Sequence, residues 1–158
     1  MGDHILLFVF DKKKEVEKIF SSEPWSFDKH LVVLQRFENN SLVCDLSFTR
    51  IAIWVQIHDI PFRYMNRMVA EEICAVVGVV DRTTSIDKME GGNFMCVRVS
   101  IDISLLLCRD RVLSLEDRSD VWINFKYERL PNICYWCGYL TRSDRECEIW
   151  INNDGDHC

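Results

Sequence analysis

Apolar and polar residues alternate along three stretches of the chain, the pattern of a β-strand with one buried face. In the clearest of them, Met95, Val97, Val99, Ile101 and Ile103 alternate with polar or mixed residues. The same alternation runs through residues 51–57 and 121–127. Weaker alternation or continuous apolar runs predict further strands at residues 5–10, 30–37, 79–86 and 112–115.

Two segments instead show the spacing of an amphipathic helix. Residues 12–20 place Val16, Ile19 and Phe20 behind a charged face. A longer apolar stripe begins at Met65 and ends at Val77. Asn66 is suited to cap the start of this second helix, and Gly78 is suited to end it in a left-handed conformation.

These elements predict an α+β fold with one or two mostly antiparallel sheets, two helices and a small C-terminal module. Residues 1–37 form a first strand-helix-strand subdomain and residues 38–50 a connection. A second α+β subdomain covers residues 51–130. Pro131 breaks the strand pattern and begins a cysteine-rich, zinc-knuckle-like module that extends to residue 158.

Composition narrows the classes of function. With 158 residues, 48% of them hydrophobic, the chain can bury a core. It lacks both an apolar run of the roughly 18 to 20 residues that span a bilayer and a signal peptide, so we expect an intracellular protein without membrane contact. A net charge of −6 argues against an extended basic surface for nucleic acid. The four histidines have no metalloprotease spacing, and phosphate-loop and nucleophile-elbow motifs are missing, so we expect no catalysis.

Eight cysteines without a secretory signal indicate reduced thiols or metal ligands. Cys44, Cys74, Cys96 and Cys108 are scattered singly, and we expect them to be core or near-core thiols. Cys134, Cys137 and Cys147 instead occupy the cysteine positions of the knuckle motif C-x2-C-x4-H-x4-C, which closes a tetrahedral zinc site. A thiol redox role for the C-x-x-C pair lacks the strand-to-helix context that makes such pairs reactive.

The histidine position of this motif holds Arg142, which has no lone pair for a metal. A fourth zinc ligand could come from His157 or Cys158 at the chain end, from water or a small anion, or less readily from Asp144. The alternative is a degenerate knuckle that binds no zinc and does not fold, because metal binding supplies the folding energy of such modules.

Two groups of residues are candidate contacts for single-stranded RNA or DNA. In the knuckle, Tyr135 and Trp136 are suited to stack on bases and Arg142 and Arg145 to pair with phosphates, unless both aromatic residues pack on the preceding domain. If the alternating strands are neighbours, their polar faces form a second surface, unless a helix covers it. The weaker candidates on that surface are Trp54, Arg98, Trp122 and Lys126.

Three motifs together carry a resemblance to a known family. They are Glu23-Pro-Trp-Ser-Phe-Asp28, Ile53-Trp-Val-Gln-Ile-His-Asp-Ile-Pro61 and Phe125-Lys-Tyr-Glu-Arg-Leu-Pro-Asn-Ile-Cys134. With them the chain, from about Ile5 to Cys147, resembles the plant retrotransposon-derived domain of unknown function that precedes a CCHC-type zinc knuckle. That domain is found in the first-frame proteins of non-LTR elements and in host-encoded relatives.

The resemblance implies a Gag-like protein that binds single-stranded nucleic acid and has neither catalysis nor a small-molecule substrate. It also implies that a strand and a helix are missing before residues 5–10, so we expect a truncated first subdomain. The acidic charge and Arg142 favour a rival interpretation. In that view the chain is a non-catalytic interaction or structural remnant that assembles with itself or a partner, and its knuckle is inactive.

Overall fold

The fold was taken from a computed structural model, which describes residues 5–37, 42–83, 92–131, 133–134 and 137–140. Helix α1 spans Lys13–Ser21 and helix α2 spans Arg67–Cys74. The strands are β1 Trp25–Phe27, β2 His30–Val32, β3 Arg50–His58, β4 Val79–Val80, β5 Phe94–Asp102, β6 Asp110–Ser114 and β7 Asp120–Tyr127. Short 3-10 turns lie at Val43–Asp45 and Phe62–Tyr64.

Five strands form one antiparallel sheet in the order β4-β5-β3-β7-β6, and β1 and β2 form a separate hairpin. The central strand β3 pairs with β5 along its whole length, from Arg50 opposite Asp102 to His58 opposite Phe94. Only its second half, from Val55 to His58, pairs with β7. The predicted α+β class with two helices and mostly antiparallel sheets is confirmed.

The hydrophobic core lies on one face of this sheet. Every second residue of β3, from Ile51 to Ile57, is buried, as are Met95, Val97, Val99 and Ile101 of β5 and Ile123 and Phe125 of β7. Each such aliphatic side chain contributes about 1.5 to 3 kcal/mol by leaving water. The strict alternation read from the sequence therefore identified the buried face correctly.

Helix α2 covers this apolar face with Ala70, Ile73 and Cys74. Asn66 caps it as predicted, because its side-chain oxygen accepts a hydrogen bond of 3.0 Å from the Val69 N–H. Gly78 follows the helix but is not in the left-handed conformation, so the prediction for its role was wrong. It passes close to β5 instead, since a Cβ at this position would lie 2.4 Å from the Ser100 carbonyl oxygen.

Three strand predictions need correction. Residues 5–10 form no strand, and their side chains, Ile5 to Phe10, are all exposed. Residues 30–37 contribute only the three residues of β2, and residues 79–86 only the two of β4, residues 84–86 lying outside the described part. An apolar run becomes a buried strand only where a neighbour pairs with it, and in the described ranges nothing pairs with residues 5–10.

The helices of the described ranges are short. None of them combines the length and apolar character needed to cross a membrane.

Candidate metal centre and nucleic-acid interface

The chain forms a tight turn at the first two cysteines of the knuckle motif. We call residues 133–134 and 137–140 the knuckle turn. The Gly138 N–H donates to the Cys134 carbonyl oxygen at 2.8 Å, and the Cys134 N–H donates to the Tyr139 carbonyl oxygen at 3.1 Å. The Cys137 N–H points at the Cys134 sulfur, with an N to Sγ distance of 3.4 Å.

Gly138 makes this turn possible. Its φ is +76°, in the left-handed region that favours glycine, and a Cβ there would lie 3.3 Å from the Leu107 carbonyl oxygen. The turn can therefore approach the Leu107 backbone closely.

The knuckle turn is anchored to the sheet domain. The Leu107 N–H donates to the Gly138 carbonyl oxygen at 3.1 Å. Leu140 belongs to the hydrophobic core, Ile133 packs against it, and Cys134 is completely buried. Cys137 is only partly buried. The first half of the module is thus built onto Leu106 and Leu107 and does not depend on the metal alone for its position.

The knuckle turn carries two cysteine thiols, half the number of ligands that a tetrahedral zinc site needs. Within the described ranges, no group of three or more His, Cys, Asp or Glu side chains is placed to hold a metal. The other predicted members of the centre lie outside the described residues; they are Tyr135, Trp136, Arg142, Asp144, Arg145, Cys147, His157 and Cys158. The two cysteine thiols of the knuckle turn are donors that suit zinc. The roles predicted for the residues outside the described ranges stay predictions.

The polar face of the sheet brings the weaker candidates together, as the strand alternation suggested. Trp54 lies opposite Arg98 across β3 and β5. Gln56 lies opposite Lys126 across β3 and β7, and Trp122 lies opposite Val112 across β7 and β6. These side chains share one face because residues opposite each other in an antiparallel pair point the same way.

One half of this polar face is covered by residues 20–24, which we call the docking segment. The Arg98 guanidinium donates to the carbonyl oxygens of Glu23 and Phe20 at 2.9 and 3.3 Å. The Glu23 carboxylate accepts from the Ala52 N–H at 3.3 Å, and Arg129 donates to the Ser22 carbonyl oxygen at 3.1 Å. Arg98 is only 6% exposed and Glu23 only 5%. This burial gives Arg98 a structural role that the sequence did not predict.

Burial also shifts the proton affinity of this pair. Loss of solvent raises the pKa of Glu23, opposed by its hydrogen bond from Ala52 and by the charge of Arg98. The pKa of Arg98 is lowered, again mainly by burial. The side chains of Glu23 and Arg98 therefore lie between the docking segment and the sheet at a desolvation cost, which their hydrogen bonds offset.

The other half of the polar face is open. Trp122 is 63% exposed, and Asn124 and Lys126 follow on the same face of β7. At the end of β3, His58 stacks on Phe94 with ring centroids 4.8 Å apart and an angle of 29°. Burial and the charge of the nearby Lys126 lower the pKa of His58, opposed by the charge of Asp59. Periodicity in the sequence does not reveal this stacked pair, because the pairing of Phe94 with His58 depends on strand register.

The scattered cysteines mostly behave as expected. Cys74 and Cys96 are buried, which raises the pKa of their thiols to about 12 and about 11. Cys108 is partly buried and its pKa is also raised, first by burial. Cys44 is exposed, so the prediction that it is a core thiol was wrong. It lies in the 3-10 turn between the docking segment and β3.

Comparison with known proteins supports the prediction of a zinc knuckle. Residues 101–149 match the CCHC-type zinc knuckle family, and this range runs from the end of β5 past all three cysteines of the motif. The chain is also 28% identical over 138 residues to an uncharacterized protein of Arabidopsis thaliana, At4g02000. The alignment covers 82% of this chain but only 41% of that relative. No solved structure matches the chain.

Proposed function

We propose that the protein binds single-stranded RNA or DNA through its C-terminal zinc knuckle. The observation that carries this proposal is the knuckle turn, in which the Cys134 sulfur accepts a backbone hydrogen bond and Gly138 is left-handed. The family match over residues 101–149 supports it, because zinc knuckles commonly bind nucleic acids.

In this proposal zinc is held by Cys134, Cys137 and Cys147, with His157 or Cys158 as the fourth ligand in place of Arg142. Tyr135 and Trp136 stack on unpaired bases, while Arg142 and Arg145 contact phosphates. Because Arg142 replaces a zinc ligand with a cation, the same substitution that weakens the metal site adds a phosphate contact.

We further propose that the protein is a non-catalytic, intracellular, Gag-like product of retroelement origin. The three sequence motifs described above support this origin, and so does the plant source of the Arabidopsis relative. The chain spans less than half of that relative, so this proposal concerns the described domain and knuckle.

The test combines metal content with binding of single-stranded RNA. Protein purified without chelator is analysed for zinc, and its affinity for a labelled single-stranded RNA of mixed sequence is measured by fluorescence anisotropy. We expect one equivalent of zinc and salt-sensitive binding, both lost in Cys134→Ser. Cys44→Ser is the matched control, because Cys44 is exposed and is not part of the knuckle motif.

An Arg142→His variant separates an active knuckle from an inactive one. If the native chain holds no zinc and no RNA while Arg142→His gains both, the native knuckle is inactive and the proposal is wrong. If Cys134→Ser binds RNA as tightly as the native chain, the knuckle is not the binding site.

A second candidate function is protein interaction, and a specific observation favours it. Residues 5–37 expose many large apolar side chains, and α1 has no buried residue although Val16, Ile19 and Phe20 share one face. Exposed apolar surface of this extent marks an interaction site. Under this hypothesis the chain self-associates. A double variant with Phe8→Asp and Phe27→Asp should then be a monomer. Sedimentation equilibrium that shows a monomer of the native chain at all concentrations would exclude self-association.

A further inference from the structure

The open half of the polar face contains a shallow cleft that the function proposed above does not use. It lies where β3 ends and β6 begins, beside β7. Its charged and polar side chains are His58, Asp59, Arg109, Asp110, Asn124 and Lys126. Because His58, Asn124 and Lys126 point from the polar face, the cleft opens on that face and away from the core.

The cleft contains two cationic side chains that do not help to hold the described part of the fold together. Arg109 and Lys126 are exposed, and neither side chain forms a hydrogen bond or ion pair with a residue of the described ranges. Of the two carboxylates, Asp59 is already engaged, since Asn124 donates to it at 2.6 Å. Asp110 lies opposite Asn124, and its carboxylate accepts no hydrogen bond from the residues that the structure describes. A ligand that has both anionic groups and hydrogen-bond donors matches this arrangement.

Aromatic rings border the cleft on two sides. Trp122 precedes Asn124 by two residues on the same face of β7, and it is among the most exposed aromatic side chains of the described ranges. On the other side His58 lines the cleft, and its ring is half-buried in the stack with Phe94, so Trp122 is the exposed ring of the two sides. Exposed rings beside cations are the arrangement with which proteins hold single strands, the bases stacking and the phosphates pairing with the cations.

The cleft is also connected to the knuckle turn. Leu107 donates its N–H to Gly138 of the knuckle turn, and Arg109 and Asp110 follow within three residues. Tyr127, next to Lys126, donates its hydroxyl to the Cys108 carbonyl oxygen at 2.5 Å. The first bond ties the segment that leads to Arg109 and Asp110 to the knuckle turn, and the second ties the same segment to β7 beside Lys126.

We propose that this cleft is a second binding site for the same single-stranded nucleic acid that the knuckle holds. Trp122 stacks on a base, Arg109 and Lys126 contact phosphates, and Asp110 accepts from a base amino group. The inference rests on the function proposed above, because the cleft extends the path of a strand already bound at the knuckle. The covered half, with Trp54 and Arg98, takes no part.

The test compares cleft variants with matched controls, using the labelled single-stranded RNA of mixed sequence. We expect Trp122→Ala to weaken binding about tenfold, the loss typical of one stacked base. Phe62→Ala, which removes an exposed aromatic ring from the 3-10 turn at Phe62–Tyr64, should change the affinity little. Zinc content should stay the same in both variants, as the knuckle is untouched.

The cations are tested by the salt dependence of binding. Replacing Arg109 and Lys126 by alanine should make the slope of log affinity against log salt shallower by about 1.4, or about 0.7 for each lost phosphate contact. The charge-matched control replaces Arg111, on the opposite face of β6, and Lys13 of α1 by alanine. It should leave the slope unchanged.

Three results would overturn the inference. If the cleft variants bind like the native chain while Cys134→Ser does not bind, the knuckle acts alone and the proposed function survives. If the control pair changes the slope as much as the cleft pair does, the change in slope reflects the net charge of the protein and not contacts in the cleft. If the native chain does not bind RNA, the proposed function and the second site both fail.

Discussion

Two glycines of this protein are required for different physical reasons. Gly138 has a φ of +76°, which a side chain would strain, and it lets the knuckle turn approach Leu107. Gly78 has no unusual φ, but a Cβ would meet the backbone of β5. The sequence predicted a left-handed conformation for Gly78, whereas the structure has it at Gly138 and requires Gly78 for close packing instead.

Gly78→Ala should therefore destabilise the fold strongly. Its Cβ would lie 2.4 Å from the Ser100 carbonyl oxygen, a backbone atom in the middle of the sheet that cannot move alone. We expect a loss of about 2 kcal/mol or more in the free energy of unfolding, measured by urea denaturation.

Gly92→Ala is the comparison for Gly78→Ala. Nothing lies within 4 Å of a Cβ at Gly92, so the cost is limited to its φ of +81° and should be about 1 kcal/mol. Equal losses for the two variants would show that close packing of Gly78 against β5 is not the cause.

At the level of elements, α2 depends on its cap. The helix has only eight residues, too few to be stable by itself, so packing on the sheet and the Asn66 side chain must hold it. Asn66→Ala should lower the free energy of unfolding by about 1 kcal/mol, as measured in urea. Asn66→Ser keeps an acceptor for the Val69 N–H and should lose much less. Equal losses for alanine and serine would argue against capping.

The docking segment couples the α1 region to the sheet through Glu23, and this contact should depend on pH. The pKa of Glu23 is raised in the folded chain, so the native state binds its proton more tightly than the unfolded state does. Its contribution to stability is complete below the ordinary value near 4.5 and is lost as pH rises through the folded pKa.

Glu23→Gln should remove this pH dependence. Because glutamine needs no proton to be neutral, the variant should gain stability relative to the native chain as pH rises above the ordinary value. Urea denaturation at a series of pH values measures the difference. Glu72→Gln, at an exposed position of α2, controls for the change of net charge. A difference that does not vary with pH would contradict the raised pKa.

For the whole molecule, the net charge of −6 means that attraction to nucleic acid must come from a few local cations. If Arg109, Lys126, Arg142 and Arg145 all contact phosphates of a single strand, log affinity should fall against log salt with a slope of about −3. Anisotropy titrations from about 50 to about 200 mM salt measure it. A slope near zero would show that these contacts do not form.

Local patterns in the sequence determined the parts of this protein that depend on near neighbours in the chain. Strand alternation identified β3, β5 and β7 with their buried faces, helical spacing and Asn66 identified α2, and cysteine spacing identified the knuckle. These signals work because side-chain direction repeats every two residues in a strand and every 3.6 in a helix. They failed for residues 5–10, where a strand needs a pairing partner that the sequence pattern cannot supply.

Only the tertiary structure decided which surfaces are open. It buried Arg98 under the docking segment, left Trp122 and Lys126 exposed beside Arg109, and stacked His58 on Phe94. It also anchored the knuckle turn to Leu107. The physical reason is that register and docking join residues far apart in the chain, and their pairing follows from the packing of the whole domain rather than from local periodicity.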